Sequence, residues 1–565
     1  MGKVKTQPNR RDFLATGALA LLGTAVPRFE RVYSAPSFNL IIKGAWILDG
    51  TGGPAWKADL GVAGDTIVAL GEISPEQGGR VIHAEGMCVS PGFIDIHTHS
   101  DYSVLAYPEA ESRVFQGITT ELTGNCGGSA APLSGVDLTR RRKQLAEEIE
   151  TEVDWTDVES YFERIEEERI SLNQAILLGQ GTLRENAVGL INRPLKPDEL
   201  ASVVLAVEKG MDQGAIGIST GLEYVPGSYT PTEEIVAMAQ AVARRGGLYS
   251  THIRDEGPNL LAAVNEAIDI GRQTGVRVEI SHFKSAGRPN WSKQDASIHL
   301  VESARRSGVS VLADAYPYHA YSTGLTIYIP GWAQEGGSEA LVARLKEKVA
   351  RQRIESEVAE AIRNDPGSYD AIVISQTRTK KNRNLLGKNL EEIAADWNVS
   401  PLNVLLTLLE EEASAVSFVG FGIKPENVEK VLSHPLVMVG SDGSIMAPRG
   451  KAGESRPHPR SYGTCPRVLG HYCREREIFD LPTAVKKMTS MPADQMGLKD
   501  RGRIAPGKKA DLVIFDRRTV EDKATFEKPH QYPIGISHVF VNGTPVIQDG
   551  DHTGKRPGRI LRADS

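Results

Sequence analysis

The chain has few cysteines for its length. Its 565 residues include only 4, which are Cys88, Cys126, Cys465 and Cys473. They are widely scattered and none forms a C-x-x-C metal pair, so they are too few for a disulfide framework. Each cysteine therefore has to be interpreted from its own neighbours.

An excess of positive charge is also missing. The sequence holds 65 Lys and Arg against 72 Asp and Glu, which gives a formal net charge of −7. It contains no basic stripe of the kind that a phosphate backbone requires, so we expect no nucleic-acid partner. With 40% hydrophobic residues and no long biased tract, the chain is typical of a globular protein with a large core and more than one domain.

The apolar run near the start of the chain, residues 13–26, is too short to span a bilayer comfortably. It follows a group of basic residues, and the segment 9–14, Asn-Arg-Arg-Asp-Phe-Leu, resembles a twin-arginine signal, whose pathway carries folded proteins. Residues 1–35 are therefore predicted to be a signal for export to the periplasm, and no stable membrane span remains after its removal. The alternative is a disordered basic leader that happens to contain two arginines.

Short strand patterns rich in Ile, Val and Leu occur at both ends of the remaining chain. They cover residues 39–50, 58–70, 510–515 and 538–543. The first two flank a Gly-rich turn sequence, and the last ends in a turn signal. We predict one small β-sandwich domain formed from residues 36–90 and 496–565.

Between these ends, short apolar runs alternate with longer helical patterns, which is typical of parallel strands joined by crossover helices. Eight runs are candidate strands, and they cover residues 93–97, 119–123, 174–179, 215–219, 248–252, 277–282, 309–315 and 436–442. They predict an α/β fold, a (β/α)8 TIM-like barrel over residues 91–495, with its chemistry at the carboxyl ends of the strands. The interval 323–434, with helices over 340–364 and 401–413, is too long for a crossover and is predicted to be an inserted subdomain near the barrel mouth.

Histidine, cysteine and aspartate residues stand at or just after the ends of these predicted strands. They are His97 and His99 at the first strand, Cys126 after the second, His252 at the fifth, His282 at the sixth and Asp442 at the eighth. An H-x-H pair on a strand turns both imidazoles to one side, and the glycines around the cysteine allow a tight turn. Each residue alone could be an ordinary polar strand end or a buried cysteine, but together they predict a zinc site at the barrel mouth.

Zinc in such a site would support hydrolysis. A bound zinc ion lowers the pKa of water to roughly 7 and polarises a carbonyl oxygen, so cleavage of an amide is the reaction that we expect. Asp442 can take the proton from the water and deliver it to the departing amine, which makes it the candidate general base and acid.

Several longer motifs resemble a known family. They are PGFIDIHTHSD at 91–101, GNCG at 124–127, STGLEY at 219–224, THIRDEG at 251–257, HPRSYG at 458–463 and ATFEKPHQYP at 524–533. From about Phe38 to its end, the sequence resembles the D-aminoacylases, or N-acyl-D-amino-acid deacylases, of the amidohydrolase superfamily. The first motif is shared across that superfamily, whereas the cysteine motif and the last motif are more specific.

The resemblance implies two metal positions. One tightly bound zinc ion would be held by Cys126, His252 and His282. A second, weaker position would be faced by His97, His99 and Asp442. The cysteine takes the place of the carboxylated lysine that dihydroorotase and hydantoinase relatives use at the fourth strand, and residues 214–220 contain no lysine.

The resemblance also implies a substrate, an N-acyl-D-amino acid that is cleaved to a carboxylate and a free D-amino acid. The implied contacts are Lys284, Arg460, Tyr224 and Tyr316. Two cations suit the free carboxylate of such a substrate, because Arg460 can bind it bidentately and Lys284 adds a point charge. For the tyrosines, packing in a barrel loop is the alternative. The preference for the D form rests on the resemblance alone.

Two other functions remain open at this point. One is hydrolysis of a cyclic amide or a dipeptide-like substrate, as in dihydroorotases, hydantoinases or isoaspartyl dipeptidases. The other is that of an exported metal-binding protein without catalysis, which has no need of a base at Asp442. Phe283 stands where many family members have a second histidine, and Cys465 stands at a position that is usually aromatic. Substrate preference is therefore left open.

Overall fold

The computed structural model describes residues 38–148 and 151–563. The predicted export signal, residues 1–35, lies outside the described residues and stays a prediction. In the part of the chain that is described, none of the helices combines the length and the apolar character that crossing a membrane needs.

The described chain begins with strands of a mixed sheet. They are Leu40–Ile47 (β1), Trp56–Ala63 (β2), Thr66–Gly71 (β3), Val81–His83 (β4) and Cys88–Pro91 (β5). β1 pairs antiparallel with β2 and parallel with β4 and β5. The other edge of β5 pairs with a strand from the C-terminal part of the chain.

The next strands form a parallel sheet in chain order. They are Phe93–Asp95 (β6), Ile118–Thr123 (β7), Asn173–Gly179 (β8), Gly217–Gly221 (β9), Leu248–His252 (β10), Arg277–Ile280 (β11) and Val311–Ala315 (β12). Every residue of β8 is buried. Strands that are covered on both faces are rich in apolar residues, as β8 is over residues 175–179, which is why such strands could be predicted from short apolar runs.

Helices cover the outer face of this sheet. The main ones are Gly135–Glu148, Val158–Glu168, Gln180–Val188, Pro197–Asp212, Thr232–Ala243, Leu260–Thr274, Gln294–Arg306 and Pro425–Ser433, with short turns at Ser103–Ala106 and Glu111–Val114. Helix 260–274 shows why they pack. Its buried residues recur every three to four positions, at Leu260, Val264, Ala267 and Gly271, so they form one apolar stripe that faces the strands.

The interval after β12 folds as a small α/β unit. Its strands, Tyr321–Gly324 (β13), Ile372–Thr377 (β14) and Val416–Gly420 (β15), pair antiparallel in the order β13-β15-β14. Its helices are Gly331–Gln334, Gly337–Lys346, Lys348–Asn364, Leu390–Trp397 and Pro401–Glu411.

The helix that the sequence predicted over residues 340–364 is in fact two helices. They are separated at Glu347, which has an extended backbone and accepts hydrogen bonds from the N–H groups of Val349 and Ala350. Glu347 therefore acts as the N-cap of the second helix. The predicted bounds of the insertion and of the other domains stay a prediction.

The eighth barrel strand, Val437–Val439 (β16), pairs with β12. The sheet closes beyond the ends of its first and last strands, where Asp442 N–H donates to His97 O at 2.8 Å. A second hydrogen bond of 2.8 Å joins His99 N–H to Gly443 O. The predicted barrel is confirmed. The hydrogen bonds that close it involve three of the predicted site residues, His97, His99 and Asp442.

The chain then returns to the first sheet. Helices Arg460–Arg467, Leu481–Met488 and Ser490–Met496 precede the strands Leu512–Phe515 (β17), Ile536–Val541 (β18), Thr544–Gln548 (β19) and Asp551–His552 (β20). β17 pairs antiparallel with β5, which joins both ends of the chain in one nine-stranded sheet. The predicted β domain formed from both ends is confirmed.

The last residues reach the end of the barrel opposite the mouth. Gln174 N–H donates to Arg559 O at 3.0 Å, and Leu561 N–H donates back to Gln174 O at 2.8 Å. Further along, Ala563 N–H donates to Gly214 O at 3.0 Å. Because Gln174 lies at the start of β8 and Gly214 just before β9, the C-terminal residues hold the amino ends of two barrel strands together.

Candidate active site

All six predicted metal ligands come together at the carboxyl ends of the barrel strands. Their ligand atoms form two groups, each within 4.8 Å: His97, His99, Cys126 and Asp442 in the first, and Cys126, His252 and His282 in the second. Cys126 belongs to both groups. Its Sγ lies 3.3 Å from His97 Nε2 and 3.6 Å from His282 Nε2, so the thiol stands at the centre of the cluster.

The backbone is strained at three of these residues. Cys126, His282 and Asp442 have φ angles of 51°, 36° and 52°, a region that costs a non-glycine residue about 1–3 kcal/mol and that recurs at functional sites. Gly124, with φ 78°, precedes the cysteine, and a Cβ at this position would lie 2.0 Å from Leu177 O. Only glycine fits there, as the GNCG motif predicted.

Three carboxylates orient the histidines. The second ring nitrogens of three imidazoles face them: His97 Nδ1 lies 2.9 Å from Asp314, His252 Nε2 lies 3.0 Å from Glu223, and His282 Nδ1 lies 2.8 Å from Glu256. The other nitrogen of each ring faces the cluster around Cys126. A carboxylate behind a histidine fixes the tautomer and the direction of the ring, as in many metal sites.

We did not predict these three carboxylates from the sequence. Asp314 lies within β12, while Glu223 and Glu256 belong to the motifs STGLEY and THIRDEG, to which we had assigned no such role. The rule that identified the ligands applies to these residues as well, because each is an acidic residue at or just beyond the carboxyl end of a barrel strand.

Burial sets the protonation of the cluster. It lowers the pKa of His252 to about 4 and, together with the nearby Lys284 charge, it lowers that of His282 well below its usual value. Both imidazoles are therefore neutral at pH 7, which is the form that binds a metal. Burial raises the pKa of the Cys126 thiol well above its ordinary value, and the Asp442 and Asp314 carboxylates add to this effect. A metal cation would offset this cost, and imidazoles with one thiolate are a donor set that fits zinc.

Asp442 is held as an ionised carboxylate. Its Oδ1 lies 2.9 Å from His99 Nε2, and its Oδ2 lies 2.7 Å from Arg460 Nη1. Burial opposes ionisation, but the charges of Arg460 and His97 outweigh it and hold the pKa of Asp442 well below its usual range. Arg460, which the family resemblance implied as a contact of the substrate carboxylate, thus already has an anionic partner, and its Nη2 also donates to Ser322 O at 3.1 Å.

Lys284 and Arg460 both lie close to the ring of Tyr316. Lys284 Nζ is 5.7 Å and Arg460 Cζ is 5.1 Å from the centre of the tyrosine ring. Burial lowers the pKa of Lys284, but the Glu256 carboxylate at 2.6 Å outweighs this effect, so the pKa lies above its usual value and the lysine is charged. The Tyr316 hydroxyl is buried and has no hydrogen-bond partner among the described residues. Two cations and a free hydroxyl therefore lie next to each other.

Tyr224, the fourth predicted substrate contact, packs against the ligand cluster at His252. Its ring centre is 4.6 Å from that of His252, and its hydroxyl accepts a hydrogen bond from Thr323 Oγ1 at 3.2 Å. Thr323 is part of β13, so the inserted unit contributes to the wall of the site.

Replacing Glu223 with Gln is expected to weaken metal binding about 10- to 100-fold, because an amide no longer fixes the tautomer and orientation of His252. Competition with a chromophoric chelator measures this affinity. The matched control is Glu233→Gln, on the exposed side of helix Thr232–Ala243, which should leave the affinity unchanged. Equal affinity in both variants would contradict the role assigned to Glu223.

Comparisons with known proteins agree with this geometry. A model described as the amidohydrolase family matches residues 80–166 and 410–547. D-aminoacylase of Alcaligenes xylosoxydans xylosoxydans is 37% identical over 533 residues, which cover 93% of this chain and 97% of the relative. N-acyl-D-glutamate deacylase of the same organism is 35% identical, with coverage of 93% and 97%.

A solved structure extends the likeness to three dimensions. N-acyl-D-glutamate deacylase of Bordetella bronchiseptica, complexed with zinc and a phosphonate inhibitor that mimics the tetrahedral intermediate, superposes with a TM-score of 0.79 at 33% identity. The match covers 93% of this chain and 100% of that one. The chain therefore belongs to the D-aminoacylase, or N-acyl-D-amino-acid deacylase, family of amidohydrolases, and it is a metal-dependent hydrolase of amide bonds.

Proposed function

We propose that the protein uses zinc to hydrolyse the amide bond of N-acyl-D-amino acids, releasing a carboxylate and a free D-amino acid. The observation that carries this proposal is the arrangement of Lys284, Tyr316 and Arg460 beside the metal-ligand cluster. A free carboxylate next to the scissile amide needs such a group of donors. The names of the relatives support the same substrate class.

Within this proposal, Cys126, His252 and His282 hold one tightly bound zinc ion. A second, weaker metal position is faced by His97, His99 and Asp442, with the Cys126 thiol within reach of both. When bound, zinc polarises the amide carbonyl and lowers the pKa of water. The neutral imidazoles and the carboxylates behind them are ready for this role before any ion arrives.

Asp442 moves the proton in the proposed reaction. Its carboxylate takes a proton from the attacking water and delivers that proton to the amine nitrogen as the C–N bond breaks, so that the amine leaves in its neutral form. The strained backbone at Asp442 and the hydrogen bond of its own N–H group to His97 O fix the carboxylate beside the ligand cluster.

The substrate carboxylate is bound by the cations. A guanidinium group carries five N–H donors in a planar fork, so Arg460 can serve both Asp442 and an arriving carboxylate. Lys284 contributes a charge, and the free hydroxyl of Tyr316 contributes a hydrogen bond. Tyr224 lines the site next to His252.

The test is amine release by the purified, zinc-loaded protein from matched N-acetyl-D and N-acetyl-L forms of methionine, leucine and glutamine. We expect release from the D forms alone. Release from the L forms at an equal rate would contradict the stereochemical part of the proposal. No release from any of them, with zinc confirmed in the sample, would favour the cyclic-amide or dipeptide hydrolases. We also propose that the protein is exported, on the basis of the signal that the sequence predicts over residues 1–35.

A further inference from the structure

The motif ATFEKPHQYP at 524–533 has no role in the reaction proposed above. It forms part of the loop between β17 and β18, two neighbouring strands of the nine-stranded sheet. The loop leaves that sheet and reaches the barrel: the ring centre of Phe526 lies 5.1 Å from that of His458 and 6.3 Å from that of Tyr318. This part of the loop therefore packs against the segment that supplies Arg460.

The loop is itself fixed to the barrel. The Tyr532 hydroxyl donates to the Glu111 carboxylate at 2.8 Å, and the Tyr532 ring stacks on Phe115 with ring centres 4.4 Å apart. Glu111 and Phe115 belong to the short helical turn before β7 and to the residue that follows it. His530, two residues before Tyr532, thus stands on a support that does not depend on the Arg460 segment.

Both ring nitrogens of His530 are engaged. Nδ1 lies 2.8 Å from the Tyr462 hydroxyl, and Nε2 lies 2.9 Å from Ser455 O. A carbonyl oxygen can only accept, so Nε2 donates to it, and the neutral ring then accepts at Nδ1 from the tyrosine hydroxyl. One tautomer therefore satisfies both contacts and fixes the direction of the ring.

The two partners of His530 are the ends of one segment, residues 455–462. Within the segment, Arg460 N–H donates to His458 Nδ1 at 3.0 Å, and His458 Nε2 donates to Ala320 O at 3.0 Å. The imidazole of His530 thus joins both ends of a stretch whose inner residues set the position of the Arg460 backbone.

The Arg460 side chain depends on this position more than Asp442 does. Arg460 reaches the Asp442 carboxylate at 2.7 Å and Ser322 O at 3.1 Å. Asp442 has two other supports, because its carboxylate lies 2.9 Å from His99 Nε2 and its N–H group donates to His97 O at 2.8 Å. A shift of the segment would therefore move the guanidinium group and leave the Asp442 carboxylate largely in place.

We infer that His530 is a positioning residue for the substrate carboxylate. It acts through Ser455 and Tyr462, which it holds so that the guanidinium group of Arg460 meets the carboxylate in the correct place. This inference rests on the proposed function, in which Arg460 binds that carboxylate. It gives the loop between β17 and β18 a part in substrate binding.

The test is steady-state hydrolysis of N-acetyl-D-methionine by the zinc-loaded His530→Ala variant. We expect KM to rise about tenfold while kcat stays within about threefold, because a displaced binding group weakens substrate binding and leaves the proton transfer intact. A merely structural role would lower the fraction of active protein, which reduces the apparent kcat and leaves KM unchanged.

The matched control is His552→Ala. His552 is also half-buried and also engages both ring nitrogens, since Gly554 N–H donates to its Nδ1 at 3.0 Å and its Nε2 lies 3.3 Å from Ser171 Oγ. This variant should keep the KM of the unmodified protein. An unchanged KM in folded, zinc-loaded His530→Ala, or an equal rise in His552→Ala, would overturn the inference and leave the proposed function intact.

A second variant tests the route through the tyrosine. Tyr462→Phe keeps the ring and removes only the hydroxyl, so we expect a smaller rise in KM than in His530→Ala, which also loses the contact with Ser455. The double variant should have the KM of His530→Ala alone, because both changes remove the same hydrogen bond. Rises that multiply in the double variant would overturn this route. No turnover by the unmodified zinc-loaded protein would overturn the proposed function and this inference with it.

Discussion

Asp442→Asn is expected to abolish turnover while the protein keeps its zinc. The amide has the same shape as the carboxylate but cannot accept a proton, so the loss in kcat should reach about 10²- to 10⁴-fold, the usual contribution of a general acid–base group. The tightly bound zinc ion is assigned to three other residues, so the zinc content per chain should stay as in the unmodified protein. Amine release and elemental analysis of the same sample measure both quantities.

The control for this variant is Asp212→Asn, a change of the same chemical kind in an exposed ion pair with Arg245. It should alter neither quantity, because exposed pairs contribute about 0–1 kcal/mol to stability. Unchanged turnover in Asp442→Asn, with zinc retained, would refute the proton-transfer role. Loss of zinc would show instead that the carboxylate is needed to hold the tightly bound ion.

Cys126→Ala is expected to remove both the zinc and the activity. The thiol belongs to both ligand groups. Its loss should therefore weaken metal binding more than the loss of a supporting carboxylate, which weakens it about 10- to 100-fold. After dialysis against a weak chelator, we expect less than stoichiometric zinc and no amine release above background.

The matched control for Cys126→Ala is Cys473→Ala, which removes a half-buried thiol that is in none of the ligand groups of the described residues. It should keep both zinc and activity. A Cys126→Ala protein with a full complement of zinc would show that the histidines suffice and that the cysteine is not a ligand.

The sequence predicted the barrel well because buried parallel strands carry long apolar runs, as β8 does over residues 175–179. It predicted the six ligand candidates because the carboxyl ends of barrel strands meet at one mouth. It did not predict that residues 340–364 divide at Glu347, where no glycine or proline marks the break. Capping by a glutamate side chain leaves only a weak signal in a sequence.

The supporting contacts of the site were beyond prediction for a different reason. His97 and Asp314 are separated by 217 positions along the chain, and their contact depends on the register between strands that are not neighbours in sequence. The pairing of Arg460 with Asp442 is of the same kind. The family resemblance implied Arg460 as a contact of the substrate carboxylate, and it could not show that a protein carboxylate already lies beside the arginine.

The sheet that unites both ends of the chain has a consequence for how the protein is made. β5 gains its second neighbour only when β17 has left the ribosome, and at about 5–20 residues per second the roughly 420 residues between them take about 20–80 s to synthesise. Until then β5 is an open edge, which is a template for pairing with other chains. A chain that stops short of Leu512 would keep that edge open permanently and would also lack the last residues that hold β8 and β9 together at the closed end of the barrel. Translation that terminates early should therefore yield aggregates and no smaller working enzyme.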